Sequence, residues 1–328
     1  MTKTAFLFPG QGSQAVGMGH DLAQAFPIAK KVFDDVDAAI GNITLADGTS
    51  QPLSHIIFNG PADTLTLTEH TQPALMAVSM AVLRVVEEST GKPITALCQA
   101  VAGHSLGEYS ALCAINGLTI TQTAQLLQQR GRAMQAAVPN GVGAMAALLG
   151  MNWDEVKTII DSAIAAGAVV ACANDNADGQ VVISGTKEGV EAAITLAKNK
   201  GLKRAVPLPV SAPFHSPLMQ PAALVMQQAL AKVTMPSPLL PVYNNVTARA
   251  QINSAHIKND LVSQVCGRVR FRETILNMVA DGFTDFVEIG AGKVLQGLVK
   301  RIAPNANCFS IGTSADVKER LDFFKNGS

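Results

Sequence analysis

Charge is scarce in this 328-residue chain. Its 25 Lys and Arg are balanced by 25 Asp and Glu, and together they make up only 15% of the residues, against roughly 25% in an average soluble domain. So little polar surface on a chain of this length implies a large buried core, and the zero net charge argues against nucleic-acid binding through a basic face. Aromatic residues are also few, 5% with a single Trp, which leaves little surface for stacking bases. The five cysteines, Cys98, Cys113, Cys172, Cys266 and Cys308, are odd in number and scattered without a CxxC pair. That excludes a disulfide framework and a cysteine zinc site, and fits a reducing compartment. Long apolar runs are missing as well. Ala5 to Phe8 is cut off by Pro9-Gly10, and Val142 to Met151 is interrupted by glycine, so neither makes a signal-peptide core or a membrane span of about 20 residues. A cytoplasmic protein with no metal site and no membrane association is expected, and 48% hydrophobic residues exclude disorder.

What is present is an alternation of strand and helix patterns. Lys3 to Phe8 is a short apolar run ended by Pro-Gly, the pattern of a buried strand. Residues 20–40 have helical periodicity, with Leu22, Phe26, Ala29, Val32, Phe33 and Val36 on one face. Thr71-Gln72-Pro73 predicts a helix start, with the helix running to about Glu88. Leu97 to Ala102 predicts a strand, Gly103 to Gly107 a sharp turn, and a helix opens at Glu108. Thr121 to Ala137 predicts another helix, capped by Thr119. The alternation implies an α/β fold with a parallel sheet covered by helices.

Residues 141–210 have a different rhythm. Strands are predicted at Gly143 to Gly150, Val169 to Ala173, Gln180 to Ser184 and Lys203 to Val210, with helices at Asn152 to Ala166 and Lys187 to Lys200. Asn174 to Gly179 is rich in turn residues. The order βαββαβ is that of a ferredoxin-like unit, expected as a small subdomain inserted in a larger, α/β-hydrolase-like one formed by 1–140 and 211–328. The larger unit resumes with helices at Pro217 to Val233, Ala255 to Cys266, Phe271 to Asp281 and Val294 to Ile302, and strands at Leu239 to Val246 and Phe283 to Ile289.

Gly103-His104-Ser105-Leu106-Gly107 matches GxSxG, the nucleophile elbow, with an apolar strand before it and a helix after it. Glycines flank the serine because the chain reverses too tightly there for side chains. The turn exposes the Ser105 hydroxyl at the positive end of the following helix, where developing negative charge is favoured. A serine nucleophile needs a base. His20, His55, His70 and His256 lie in polar or helix-flanking sequence expected at the surface, and His104 sits inside the elbow, where it cannot easily face its neighbour's oxygen. His215 lies in a proline-stiffened loop, Pro209 to Pro217, at the carboxyl end of a strand, the usual place for a site in an α/β sheet. It is the favoured base.

The amino-terminal Gly10-x-Gly12-x-x-Ala15 follows a strand, as a dinucleotide fingerprint would. Such a site also needs an acidic residue ending the second strand about 20 residues on. Asp34, Asp35 and Asp37 fall instead within a helical pattern. The loop is better read as placing backbone N–H groups and Gln11 near the elbow.

Together these segments resemble the malonyl-CoA:acyl-carrier-protein transacylases of bacterial fatty-acid synthesis. The resemblance rests on Phe8 to Gln14, Thr71 to Leu75, Gly103 to Ala111, Gln129-Arg130-Gly131, Gly143 to Ala147, Asn174 to Gly185, Pro207 to His215 and Glu288 to Leu295, in family order over nearly the whole chain. It implies transfer of a malonyl group from malonyl-CoA to an acyl carrier protein through a covalent Ser105 intermediate, with His215 as base. Backbone N–H groups of Gln11 and Leu106 would form the oxyanion hole, and a backbone carbonyl at Gln264 would orient the histidine. Arg130 would bind the malonyl carboxylate with its planar fork. Phe214 would sit near the substrate's α-carbon, and Asn174 or Asn176 would face the site. Coenzyme A thioester and phosphopantetheine enter as substrates, with no resident cofactor, and a monomer is expected. Val265 to Phe271 departs from the family's Asn-Pro-Val form.

Three other roles compete. A serine thioesterase or hydrolase would want an Asp or Glu between nucleophile and histidine, and none stands out. A carrier-binding scaffold would not need Ser105, His215 and Arg130 together. An acyltransferase of a polyketide or malonate-decarboxylase system shares the chemistry and differs in the carrier. Arg268, Arg270, Arg272, Lys293, Lys300 and Arg301 concentrate positive charge late in the chain, where an acidic carrier could dock.

Overall fold

The computed structural model describes residues 2–139, 141–210 and 212–326. Of the expected subdomain boundaries, Asn140 and Ser211 lie outside the described residues, as does the last residue, Ser328.

Twelve strands occur among the described residues: β1 (Thr4–Phe8), β2 (Ile43–Thr44), β3 (Ser50–Gln51), β4 (Ala100–Gly103), β5 (Gly143–Leu149), β6 (Val170–Ala177), β7 (Gln180–Thr186), β8 (Arg204–Pro207), β9 (Val242–Tyr243), β10 (Ala250–Gln251), β11 (Asp285–Ile289) and β12 (Asn307–Ile311). The main sheet has the order β10-β9-β4-β1-β11-β12 and is parallel except for the edge strand β10. Every residue of β1 and β4 is buried, which is why these strands read as unbroken apolar runs. In the register between them Phe8 lies opposite Gly103. The loop after β1 and the elbow after β4 therefore leave the same carboxyl edge side by side, where α/β sheets place their sites.

Helices cover the sheet. The largest, Thr68–Thr90, is buried on nearly every side from Thr68 to Val86. It starts three residues earlier than expected and carries Pro73 inside it. Packing around the whole circumference outweighs the one backbone hydrogen bond a proline removes. The periodic stretch 20–40 is two helices, His20–Ala25 and Pro27–Ile40, because Pro27 opens a new helix and Phe26 before it is extended. Thr119 does cap the Ile120–Ala136 helix, through a capping box with Gln122. The expected strand 97–102 is present from Ala100 as β4, while Leu97 ends a short helix, Ile94–Leu97, and the expected strand 239–246 is strand only at Val242–Tyr243. Short helices at Leu53–Asn59 and Ala62–Thr66, the sixth strand β12 and the terminal helix Ser314–Asn326 were not anticipated.

The second sheet has the order β6-β7-β5-β8, every neighbouring pair antiparallel. Its own core lies beneath the helices Trp153–Ala165 and Lys187–Asn199 and includes Leu148, Ile159, Val181 and Ile183. Asn174 to Ala177, expected to be a turn, continues β6 through two register shifts, and only Asp178-Gly179 turns. A bulged strand tolerates Asn and Asp because the bulge re-aims side chains out of the ladder. That segment ties the antiparallel sheet to the start of the Phe271–Ala280 helix of the larger unit. Asn174 bridges to Val269, and the Val269 N–H donates to the Ala173 carbonyl at 2.8 Å. The Arg272 guanidinium donates to the buried Asp175 carboxylate. No described helix is long and apolar enough to cross a membrane.

Candidate active site

Ser105 sits between the end of β4 and the helix Gly107–Ala114, with φ at +53°. A side chain other than glycine rarely adopts this left-handed state, and here it is held by close packing on both sides. A Cβ on Gly107 would lie 2.1 Å from the Phe8 carbonyl oxygen, and one on Gly103 would lie 2.0 Å from Gly107. The glycines of the motif are required by contact with β1 and by the reversal itself.

His215 reaches the same point from the other side, also at positive φ, +57°. Its Nε2 lies 2.9 Å from Ser105 Oγ. Its Nδ1 lies 2.8 Å from the Gln264 carbonyl oxygen and 3.1 Å from that of Gly267. Carbonyls only accept, so Nδ1 carries the hydrogen and Nε2 presents its lone pair to the serine hydroxyl. Burial, and then the nearby Arg130 charge, push the imidazole down to about 3. It is neutral, as a base must be before it acts. The carbonyl expected at Gln264 is present, and the turn after Cys266 adds a second acceptor at Gly267.

Arg130 comes from the Ile120–Ala136 helix and is only 1% exposed. Its Nη1 donates to Gln72 Oε1 at 2.9 Å, and its Nη2 donates to Gln264 Oε1 at 2.9 Å and to Ser105 Oγ at 3.1 Å. Burial lowers its pKa, yet a guanidinium keeps its charge at neutral pH. A fixed cation thus stands beside the serine oxygen, held by two neutral amide oxygens and no carboxylate. It can accept an anion from outside.

The cavity around these three residues has a volume of about 100 Å³ and is lined further by Gln11, Leu106, Met134, Met145, Asn174 and Phe214. Among the described residues, neither the Gln11 nor the Leu106 backbone N–H takes part in a hydrogen bond within the chain. Asn174 faces the pocket, whereas the Asn176 side chain accepts a hydrogen bond from His104 Nε2 at 2.8 Å. Burial lowers the His104 pKa against the opposing effect of that bond, which ties the ring to Asn176 and not to Ser105 Oγ. His70, expected at the surface, is buried and donates from Nδ1 to the Thr64 carbonyl.

Sequence reasoning missed a second layer. Asn245 Oδ1 accepts the Ser105 N–H at 2.7 Å, and Asn245 Nδ2 donates to the Gly103 carbonyl at 2.7 Å. Glu108, fully buried, accepts from the Asn245 N–H and from Gln264 Nε2. Burial raises its carboxyl to about 7 against the opposing effect of those bonds. Glu108 gave a legible signal, a single charge inside the apolar run from Gly107 to Ala114. Asn245 gave none.

A serine hydroxyl within hydrogen-bond reach of a neutral histidine and beside a buried guanidinium is the arrangement that serine-dependent acyl transfer requires. The chain belongs to the acyl transferase domain family, whose model matches residues 5–324. The malonyl CoA-acyl carrier protein transacylase of Bacillus subtilis is 46% identical over 302 residues, covering 92% of this chain and 91% of the relative. Two solved structures are similar throughout. The acyl-carrier-protein-S-malonyltransferase of Bartonella henselae is 48% identical with a TM-score of 0.91, covering 98% of this chain and 99% of that one. A malonyl-transacylase in complex with its type II PKS acyl-carrier protein is 38% identical with a TM-score of 0.91, covering 98% and 99%.

Proposed function

We propose that this chain transfers a malonyl group from malonyl-CoA to the phosphopantetheine thiol of an acyl carrier protein in fatty-acid synthesis, by way of a malonyl-Ser105 ester. The observation that carries the reading is the convergence of a neutral base and an unneutralised guanidinium on one serine oxygen.

In the first half-reaction His215 Nε2 takes the Ser105 proton as Oγ bonds to the thioester carbon. The carbonyl oxygen becomes an oxyanion facing the Gln11 and Leu106 N–H groups, which have no competing acceptor. Collapse breaks the C–S bond, and the imidazolium returns its proton to the departing coenzyme A thiolate. In the second half-reaction the carrier's thiol enters, His215 takes its proton, and the thiolate displaces Ser105 Oγ, which recovers the proton. Two transfers through one ester make the kinetics ping-pong. Arg130 pairs with the malonyl carboxylate throughout. Phe214 beside the base disfavours an extra methyl on the α-carbon by roughly 1–3 kcal/mol.

The antiparallel order β6-β7-β5-β8 supports reading residues 141–210 as a ferredoxin-like subdomain set into an α/β-hydrolase-like one. On this reading no cofactor is needed, since both thiols arrive as substrates, and the enzyme works as a cytoplasmic monomer. The similarity to a transacylase solved with a type II PKS carrier supports a polyketide carrier as the second reading.

Mass spectrometry after mixing with malonyl-CoA tests the covalent step. One malonyl mass is expected on the peptide containing Ser105 and none in Ser105→Ala. Malonylation of that variant would remove Ser105 from the mechanism.

A further inference from the structure

Glu108 is an expensive residue to keep where it is. Its side chain is fully buried, it forms no ion pair among the described residues, and its Oε1 has no hydrogen-bond partner. A buried carboxylate costs several kcal/mol unless it is compensated, and apolar replacements of buried charges are often stabilising. Stability does not account for it. Position does.

The carboxylate hangs from the first turn of the helix that follows the elbow, and its Oε2 takes two hydrogen bonds, from the Asn245 N–H at 2.9 Å and from Gln264 Nε2 at 2.8 Å. Each donor belongs to a residue that handles the reacting groups. Asn245 Oδ1 accepts the Ser105 N–H, and Gln264 Nε2 also donates to the Ser105 carbonyl at 3.0 Å. Both peptide groups that fix the strained serine are therefore held by residues tied to one oxygen. Gln264 further supplies the carbonyl that orients His215 and the amide oxygen that accepts from Arg130.

We propose that Glu108 is a positioning residue for acyl transfer, its Oε2 clamping Asn245 and Gln264 so that Ser105, His215 and Arg130 stay in mutual register. The reaction it serves is the malonyl transfer proposed above. The effective element is an acceptor oxygen at the right reach, not the negative charge. Glutamine can supply that oxygen at the same distance, whereas aspartate keeps the charge and falls one methylene short of holding both donors.

The test compares Glu108→Gln, Glu108→Asp and Glu108→Ala with the unaltered chain in two single-turnover assays of Ser105. One measures malonyl-Ser105 formation from malonyl-CoA. The other measures labelling by a fluorophosphonate, where the Oγ–P bond forms as fluoride leaves, so that it reports serine reactivity whatever the natural acyl group. Glu108→Gln should stay within about threefold in both assays, and Glu108→Ala should fall on the order of 10²-fold, the effect of a misaligned reacting geometry. Glu108→Asp should fall at least about tenfold, the loss appearing in the rate constant more than in the malonyl-CoA concentration for half-maximal rate. If Glu108→Ala does not fold, the order of Gln above Asp decides. Asp matching or exceeding Gln, or Ala reacting at the unaltered rate, overturns the proposal. An unaltered chain labelled by the fluorophosphonate but not by malonyl-CoA sinks the malonyl reading instead, and the Glu108 comparison is then taken from the probe. Labelling by neither reagent overturns both.

Discussion

Arg130 Nη2 and Ser105 Oγ are 3.1 Å apart, donor to acceptor, in a pocket where the same oxygen lies 2.9 Å from His215 Nε2. The serine hydroxyl can donate to the histidine while accepting from the arginine. That lowers the cost of forming an alkoxide and sets the position of the anion-binding group relative to the nucleophile. On the malonyl reading, the carboxylate one methylene beyond the reacting carbonyl would pair with this guanidinium once the ester forms. A neutral acyl group gains nothing from it.

Arg130→Ala should therefore abolish malonyl transfer while acetyl transfer persists or improves, the malonyl penalty being about 2–5 kcal/mol for a desolvated charge left unpaired. Arg130→Lys should recover little, because a point charge cannot replace the fork that spans Gln72 and Gln264. Rates of Ser105 acylation with both thioesters give the answer. Parallel loss with both would mean that Arg130 serves the serine alone.

Acid should expose the cost of burying His215 neutral. The folded imidazole is pushed down to about 3 while the unfolded one takes up its proton near the ordinary value of about 6.5. Stability is unaffected above that value and falls as pH drops toward 3, by up to ~1.4 kcal/mol per unit. Urea denaturation of the chain and of His215→Gln at pH 7 and pH 4.5 should show the gap between them shifting in favour of the variant. An unchanged gap contradicts the assignment of a neutral buried base.

Glu108 should act with the opposite sign. Its folded pKa is raised to about 7, so the native state holds the proton more tightly and its contribution is complete below the unfolded value of about 4.5. That contribution is lost as pH rises through 7. In Glu108→Gln the dependence between pH 4.5 and 7 should flatten, measured by the same denaturation series.

Gly107→Ala should be among the most damaging single changes in the chain. The added Cβ would sit 2.1 Å from a backbone oxygen of β1, and backbone on both sides leaves no flexible neighbour to yield. A loss of about 3 kcal/mol is expected from overpacking at such a site, together with loss of Ser105 acylation. A stable variant with full activity would mean that the elbow can shift without consequence.

The charge cluster late in the chain gives a more selective docking test than sequence alone suggested. Arg268 and Arg270 both pair with Glu273, and Arg272 with Asp175, so much of that charge is already neutralised. Lys300→Glu should slow transfer to an acidic carrier at low salt and leave malonyl-Ser105 formation unchanged. Equal slowing of both half-reactions would place the effect in the pocket.

Ser105, His215 and Arg130 were legible because each carries a local signature: glycines around the serine, prolines around the histidine, and the Gln-Arg-Gly segment that matches a family pattern. β1 was legible as an apolar run with a proline stop. The internal Pro73 misled because a proline early in a helix looks like a start, and only burial from every side carries the helix past it. The run from Asn174 to Ala177 misled for a related reason, since turn-forming residues can lie in a strand whose bulges bring them to a partner loop. Asn245 was invisible because its role depends on contacts 140 and 142 residues away.

The pocket has walls of separate ancestry in the chain. Ser105, His215 and Arg130 come from elements around the parallel sheet, while Met145 and Asn174 come from the antiparallel one and Leu208 from the residue that follows its strand β8. One wall of the cavity is therefore written in a stretch of sequence separate from those that carry Ser105, His215, Arg130 and Phe214. Substitutions at Met145 or Asn174 would reshape that wall from a separate unit of the fold, leaving the elements that carry Ser105, His215 and Arg130 untouched.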